Sequence, residues 1–182
     1  KINLKYLYNL ATNLKKYLKS NTTVALRSTV KLGTTKKIEK ILNKTNSINL
    51  AMCPERTTEG SALKEIHFLP QVIGAENKNT RNILKKLFLK ITKKTILFNT
   101  FEEAEILKLI DNSYRDTIFG FANELSSISE HYNINILNVI HKIGIKYPRS
   151  KIAFPGTVGG PCLTKDSHLL IESVKKSKFK YN

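Results

Sequence analysis

Thr23-Val24-Ala25-Leu26-Arg27-Ser28-Thr29-Val30, closed by the turn Gly33-Thr34-Thr35, is the stretch on which the fold turns. An apolar, β-branched run stopped by a glycine turn predicts a short buried strand, and the apolar spacing that resumes over 36–42 predicts a helix after it. The unit recurs outward in both directions. Before it, Leu4, Leu7, Leu10, Leu14 and Leu18 recur every three or four residues and predict an amphipathic helix over 1–19. After it, Ile48-Asn49-Leu50-Ala51-Met52-Cys53 reads as a second strand stopped by Pro54, and a polar loop leads to a third at Gln71-Val72-Ile73-Gly74. A helix over 80–88 and a fourth strand at Thr95-Ile96-Leu97-Phe98 complete an α/β alternation of the parallel-sheet kind.

From Phe101 to about Tyr132 the period becomes that of one sustained helix, about 48 Å long at about 1.5 Å per residue, with Ala104, Leu107, Tyr114, Ile118, Phe121, Leu125 and Ile128 along one stripe. A shorter helix over 134–143, a Gly/Pro loop over 148–161 and a last helix over 164–175 follow. The chain therefore divides near Thr100, sheet units before it and helices after it. A sheet that opens on a helix is incomplete, and with Met52 the sole methionine the chain is expected to begin inside a longer coding sequence.

Bulk properties narrow the function classes. Lys and Arg number 31 against 14 Asp and Glu, a formal charge of +17, which suggests a nucleic-acid partner. The lysines are scattered among Asn and Ile, however, with no basic arm and no aromatic interleaving, so neither a nucleic-acid nor a membrane partner is expected. No apolar run approaches the roughly 18 residues of a membrane span, and the first residues carry no secretory leader, so the cytoplasm is the expected compartment. Two cysteines, Cys53 and Cys162, are too few and too far apart for a disulfide framework or a structural zinc site, and no metal is expected. Cys53, at the end of an apolar strand, reads as a small core residue.

Three segments place polar residues four apart: Glu55 and Glu59, Lys108 and Asn112, Cys162 and Asp166. On a helix four residues is one turn, so each pair shares a face. Taken singly, such pairs also arise from helix capping or a solvated face. The segment Gly159-Gly160-Pro161-Cys162 says more, because a tight backbone before the thiol and a helix starting there would favour the thiolate, making Cys162 a nucleophile candidate.

Arg27-Ser28-Thr29-Val30 with Gly33-Thr34-Thr35, then Pro54-Glu55-Arg56 with Glu59-Gly60, then Leu69-Pro70-Gln71-Val72-Ile73-Gly74 resemble, in order and spacing, the second half of the Rossmann domain of UDP-glucose/GDP-mannose dehydrogenases. Glu105-x-x-Lys108-x-x-x-Asn112-x-Tyr114-Arg115-Asp116 with Phe121-Ala122-Asn123-Glu124-Leu125 is similar to that family's central helix, and Gly159-Gly160-Pro161-Cys162-Leu163-x-Lys165-Asp166 to its nucleophile loop. The resemblance implies the C-terminal part of a Rossmann-like NAD-binding domain over 1–100 and an all-helical central dimerisation domain over 101–182. It implies a homodimer or higher oligomer and an NAD-dependent oxidation of a UDP-sugar's C6 alcohol to a carboxylate.

By the same resemblance Cys162 is the nucleophile that becomes a thioester, Lys108 and Asn112 hold the reacting oxygen, and Asp166 and Glu55 handle water and protons. Ser28, Thr29, Val30, Glu59 and Lys165 are implied to line the cofactor, and Glu55, Arg56, Lys108, Asn112, Arg149, Gly159 and Gly160 the sugar nucleotide. Pro54-Glu55-Arg56-Thr57 and Tyr114-Arg115-Asp116 lean towards members acting on UDP-N-acetylhexosamines such as UDP-N-acetylmannosamine, with UDP-glucose the alternative. The family's G-x-G-x-x-G unit and C-terminal nucleotide-sugar domain are absent from the 182 residues, so an inactive dimerisation fragment is the remaining alternative.

Overall fold

A computed structural model describes residues 3–43, 47–145, 147, 149–158 and 161–174. In chain order the elements are α1 (Lys5–Leu14), β1 (Thr23–Leu26), α2 (Thr34–Leu42), β2 (Asn49–Met52), α3 (Ala62–Phe68), β3 (Gln71–Gly74), α4 (Lys78–Phe88), β4 (Thr95–Phe98), α5 (Phe101–His131), α6 (Ile136–Ile143) and α7 (Pro161–Val174). The chain divides into two compact units, residues 1–109 with 169–182, and residues 110–168.

The first unit holds the sheet, in the order β1-β2-β3-β4. β1 pairs with β2 in parallel from Thr23↔Asn49 to Leu26↔Met52, and β3 with β4 in parallel from Gln71↔Thr95 to Gly74↔Phe98. Between β2 and β3 the parallel expectation fails: they meet in one antiparallel pair, Met52↔Gly74. The physical reason lies in the connection over 53–70. Its only helix, α3, buries no residue, so it supplies none of the packed crossover that makes sheet neighbours parallel. That helix stands where the sequence predicts only a polar loop. β1 also stops at Leu26 rather than Val30, and as an edge strand it is half-buried where a buried strand is expected.

β2 and β3 carry the core, with Leu50, Ala51, Met52, Val72 and Ile73 all buried. Ile38 and Leu42 of α2, Leu84 and Phe88 of α4, and Phe101 and Ala104 of α5 pack on them. Gly33 and Gly74 are required by geometry. Gly33, at φ +77, turns the chain into α2 in the left-handed region. At Gly74 a Cβ would lie 2.6 Å from both the Ala104 Cβ and the Thr100 carbonyl oxygen, so the start of α5 approaches the sheet closely only because that side chain is missing.

The second unit comprises the rest of α5, α6, and α7 up to His168. Ala122, Ile140 and Leu163 are its buried apolar residues. Tyr114, Phe121 and Ile128, spaced seven apart on α5, are exposed. Among the described residues no helix is long and apolar enough to cross a membrane.

Candidate active site

In the sheet unit, β1 and β2 continue to pair beyond their last residues: the Cys53 N–H donates to the Leu26 carbonyl at 2.8 Å and the Glu55 N–H to the Arg27 carbonyl at 3.1 Å. This carries Arg27 and Glu55 out side by side at the carboxyl ends of two parallel strands, where open α/β sheets bind ligands. The Arg27 guanidinium donates to the Glu55 carboxylate and to Gln71 Oε1 at 3.1 and 3.2 Å, and lies 5.3 Å from the centre of the Phe88 ring.

Glu55 also accepts the N–H groups of Arg56 at 2.8 Å and Thr57 at 2.9 Å. Burial alone would raise its pKa, but Arg27 and the two amides outweigh that and hold it at about 2. In this arrangement Glu55 is a fixed charge partner, far from the near-neutral pKa of an efficient general base. Behind it Cys53 is fully buried, and desolvation pushes its thiol up to about 12, as suits an inert core residue.

Around this pair Ser28 is exposed, Thr29 half-buried and Val30 buried, while Arg56 is half-buried and Glu59 exposed ahead of α3. Lys108 is half-buried on α5. Three residues before it stands a group that sequence reasoning did not single out. Glu105 is fully buried, and its carboxylate accepts the Gly33 N–H at 2.6 Å, the Thr35 N–H at 2.7 Å and the Thr35 hydroxyl at 2.6 Å. Desolvation raises its pKa against the pull of those donors. A signal for it did exist: the N-cap of α2 is a glycine with no side chain to satisfy the first turn, so the acceptor has to come from elsewhere in the sequence.

In the helical unit, Asn112 Nδ2 donates to Asp166 Oδ2 at 2.6 Å, with both side chains buried. One turn further along α5, Asp116 accepts the Ser167 hydroxyl at 2.7 Å. Two successive turns of α5 are thereby tied to adjacent residues of α7. Asp166 Oδ1 accepts no hydrogen bond among the described residues, and Lys165 Nζ lies 3.6 Å from it. Cys162 is exposed in the first turn of α7, one turn ahead of Asp166, where backbone N–H groups have no intrahelical acceptor.

Asn123 Oδ1 accepts the Gly156 N–H at 2.8 Å and so steadies the loop that leads towards the thiol. Arg149 is exposed and stacks over the Tyr147 ring at 4.9 Å. Gly159 and Gly160 lie outside the described residues. An open groove of about 550 Å³, lined by Asn123, Ser126, Glu130, Asn135, Pro155 and Gly156 among others, contains none of the residues expected at the site.

Comparison with known proteins gives this arrangement its context. A model of the NAD binding domain of the UDP-glucose/GDP-mannose dehydrogenase family matches residues 1–92, and a model of the same family's central domain matches residues 102–182. The UDP-N-acetyl-D-mannosamine dehydrogenase of Methanocaldococcus jannaschii is 35% identical over 179 residues, covering 98% of this chain and 42% of that protein. The Campylobacter jejuni protein of the same name is 30% identical over 183 residues, covering 93% and 45%. The solved structure of the UDP-D-ManNAc dehydrogenase from Pyrococcus horikoshii matches with a TM-score of 0.85 at 29% identity, covering 98% of this chain and 44% of that one. The chain thus spans less than half the length of the curated relatives it matches.

Proposed function

Because the chain belongs to the UDP-glucose/GDP-mannose dehydrogenase family, we propose that its full-length protein oxidises the C6 alcohol of UDP-N-acetylmannosamine to a carboxylate. Two NAD molecules, bound one after the other, would supply the acceptors for the two hydrides that leave C6, one hydride each. The observation that carries the reading is the buried Asn112–Asp166 hydrogen bond, with the exposed Cys162 thiol one turn ahead of Asp166 on α7. Names of relatives support the acetamido sugar, among them those of Methanocaldococcus jannaschii and Campylobacter jejuni.

The chemistry needs a covalent handle, because two oxidations occur at one carbon and the aldehyde between them would otherwise escape. The Cys162 sulfur adds to the aldehyde carbon, the C–S bond forms and the carbonyl electron pair moves to oxygen. Loss of the second hydride leaves a thioester. Water then adds to that carbon, the C–S bond breaks with its electrons returning to sulfur, and the carboxylate departs. Lys108 and Asn112 stabilise the oxygen on which negative charge develops. Asp166, whose Oδ1 has no hydrogen-bond donor among the described residues, accepts a proton from the attacking water. Glu55 can share that task only once Arg27 moves off its carboxylate, since the pairing holds its pKa at about 2.

The chain's residues fit part of a dinucleotide. Ser28 and Thr29 at the carboxyl end of β1 present small polar side chains, and Glu59 and Lys165 are exposed beside their elements. The α2 N-terminus offers no phosphate seat, because Glu105 already fills it. The exposed heptad-spaced stripe of Tyr114, Phe121 and Ile128 supports a homodimer through α5, and the cytoplasm is the proposed compartment.

End-point spectrophotometry of the full-length protein tests the reaction. With excess NAD, UDP-N-acetylmannosamine should yield two NADH per sugar and an acid product. One NADH per sugar, or consumption of UDP-glucose in its place, would overturn the reaction or the substrate respectively.

A further inference from the structure

The buried carboxylate of Glu105 has no part in the chemistry above, yet it is held by three donors contributed some 70 positions earlier in the chain. The free N–H groups of a helix N-terminus can seat an anion. Here the chain's own side chain occupies it. The loop that precedes α2 is gripped a second time, by the hydroxyl of Ser173 on α7, which accepts the Leu32 N–H at 3.1 Å. Lys31, the next residue back, lies 3.9 Å from Glu172 of α7. One turn of backbone, 31–35, is therefore tied to the start of α5, which carries Lys108, and to Glu172 and Ser173 at the end of α7.

We propose that Glu105 is a positioning residue that sets the rotation and height of α5, and through them the place of the Lys108 ammonium, by docking α5 onto the 31–35 turn. The inference rests on the role given to Lys108 above. Helix geometry makes the link short: Lys108 follows Glu105 by three residues, less than one turn, so any tilt or rotation at Glu105 moves the base of the Lys108 side chain. One residue earlier on α5, Ala104 packs so closely on Gly74 that a Cβ there would lie 2.6 Å from its own, a second contact that limits movement of this turn. Replacing the carboxylate by an amide puts an N–H₂ group or a weaker acceptor against N–H donors, and the helix has to shift to relieve the clash. A misplacement of about 1 Å in a positioned group commonly costs about 10²-fold in rate.

The test is a double-mutant cycle in the full-length protein, comparing parent, Glu105→Gln, Lys108→Ala and the pair. Glu105→Gln should lower kcat about 10- to 100-fold, with KM for sugar nucleotide and for NAD within about twofold of the parent. In the Lys108→Ala background the same substitution should lower kcat by less than about twofold, because the group it positions is gone. Losses that multiply in the double variant, or a rise in KM with kcat unchanged, would overturn the positioning role while leaving that of Lys108 intact. A Lys108→Ala protein with undiminished kcat would sink both. If Glu105→Gln fails to fold, Thr35→Val removes one of the three donors at constant volume and enters the same cycle, with an expected several-fold fall in kcat.

Discussion

The two ends of α5 share one helix and little else. Between Phe101 and Leu109 the residues Phe101, Ala104, Glu105 and Leu109 are buried, and the close approach at Gly74 and the bonds to Gly33 and Thr35 hold that stretch in place. Beyond Ile110 only Asn112, Ala122 and Ser129 are buried, while Ile110, Tyr114, Phe121 and Ile128 are at least half exposed. Amphipathic helices are stabilised chiefly by what their apolar face packs on. The first stretch finds that support inside its own unit. The second stretch presents an apolar stripe that stays exposed among the described residues, and a second copy is the occupant proposed here.

The contrast can be broken from the uncovered end. Phe121→Glu combined with Ile128→Glu should weaken self-association at least about 10³-fold, roughly 4 kcal/mol, since buried charges would replace two central apolar anchors. Sedimentation at micromolar concentration should show a dimer or larger for the parent and a monomer for the variant, with the melting behaviour of the sheet unit retained. A parent that sediments as a monomer would leave the stripe without the role given to it.

From the anchored end the expected effect is smaller but still large. Gly74→Ala puts a methyl 2.6 Å from the Ala104 Cβ and from a backbone carbonyl, neither of which can rotate away. A loss of about 1–3 kcal/mol in denaturant unfolding is expected, accompanied by weaker activity because Lys108 moves with α5. An unchanged midpoint would mean that α5 does not press on β3 as described.

The smallest effect concerns Arg27 and Glu55. The folded-state pKa of about 2 lies below the ordinary 4.5, so the folded protein binds fewer protons than the unfolded chain across that interval. The stabilisation is present above pH 4.5 and lost as pH falls from 4.5 towards 2. Because the Arg27 and Glu55 side chains are 32% and 40% open to solvent, it amounts to less than about 1 kcal/mol. Thermal melts of parent and Glu55→Gln should differ at pH 7 and converge as pH approaches 2. Curves that stay parallel throughout would remove the ion pair from the account.

What could be read in advance follows from how locally each feature is encoded. β3 and β4 fall on the residues expected from their apolar runs, and the long helix departs from its expected end by one residue, because periodicity is a local signal. Cys53 is the core residue that its place at the end of an apolar strand implies. α3 was not legible, since Leu63 and Phe68 are exposed and no buried face imposes a period. The antiparallel meeting of Met52 and Gly74 was hidden for another reason: an apolar run marks a strand but not its direction. At the candidate site, motif order proposes residues but says nothing of their hydrogen-bond partners. Arg27 is 28 positions from Glu55, Glu105 is 70 from Thr35 and Asn112 is 54 from Asp166. On its helix Glu105 reads by itself as a solvated carboxylate, and only the side-chain-free cap at Gly33 hints at a buried acceptor.

The central claim is that Cys162 carries the substrate covalently between its two oxidations, and intact-protein mass spectrometry of Cys162→Ser tests it most directly. The full-length variant, incubated with NAD and UDP-N-acetylmannosamine, should stall with the sugar nucleotide attached through an oxygen ester, or should go no further than the first oxidation level, while the parent turns over. Release of two NADH per sugar at an undiminished rate by the Cys162→Ser protein would contradict the account and leave Cys162 as no more than a small residue in the first turn of α7.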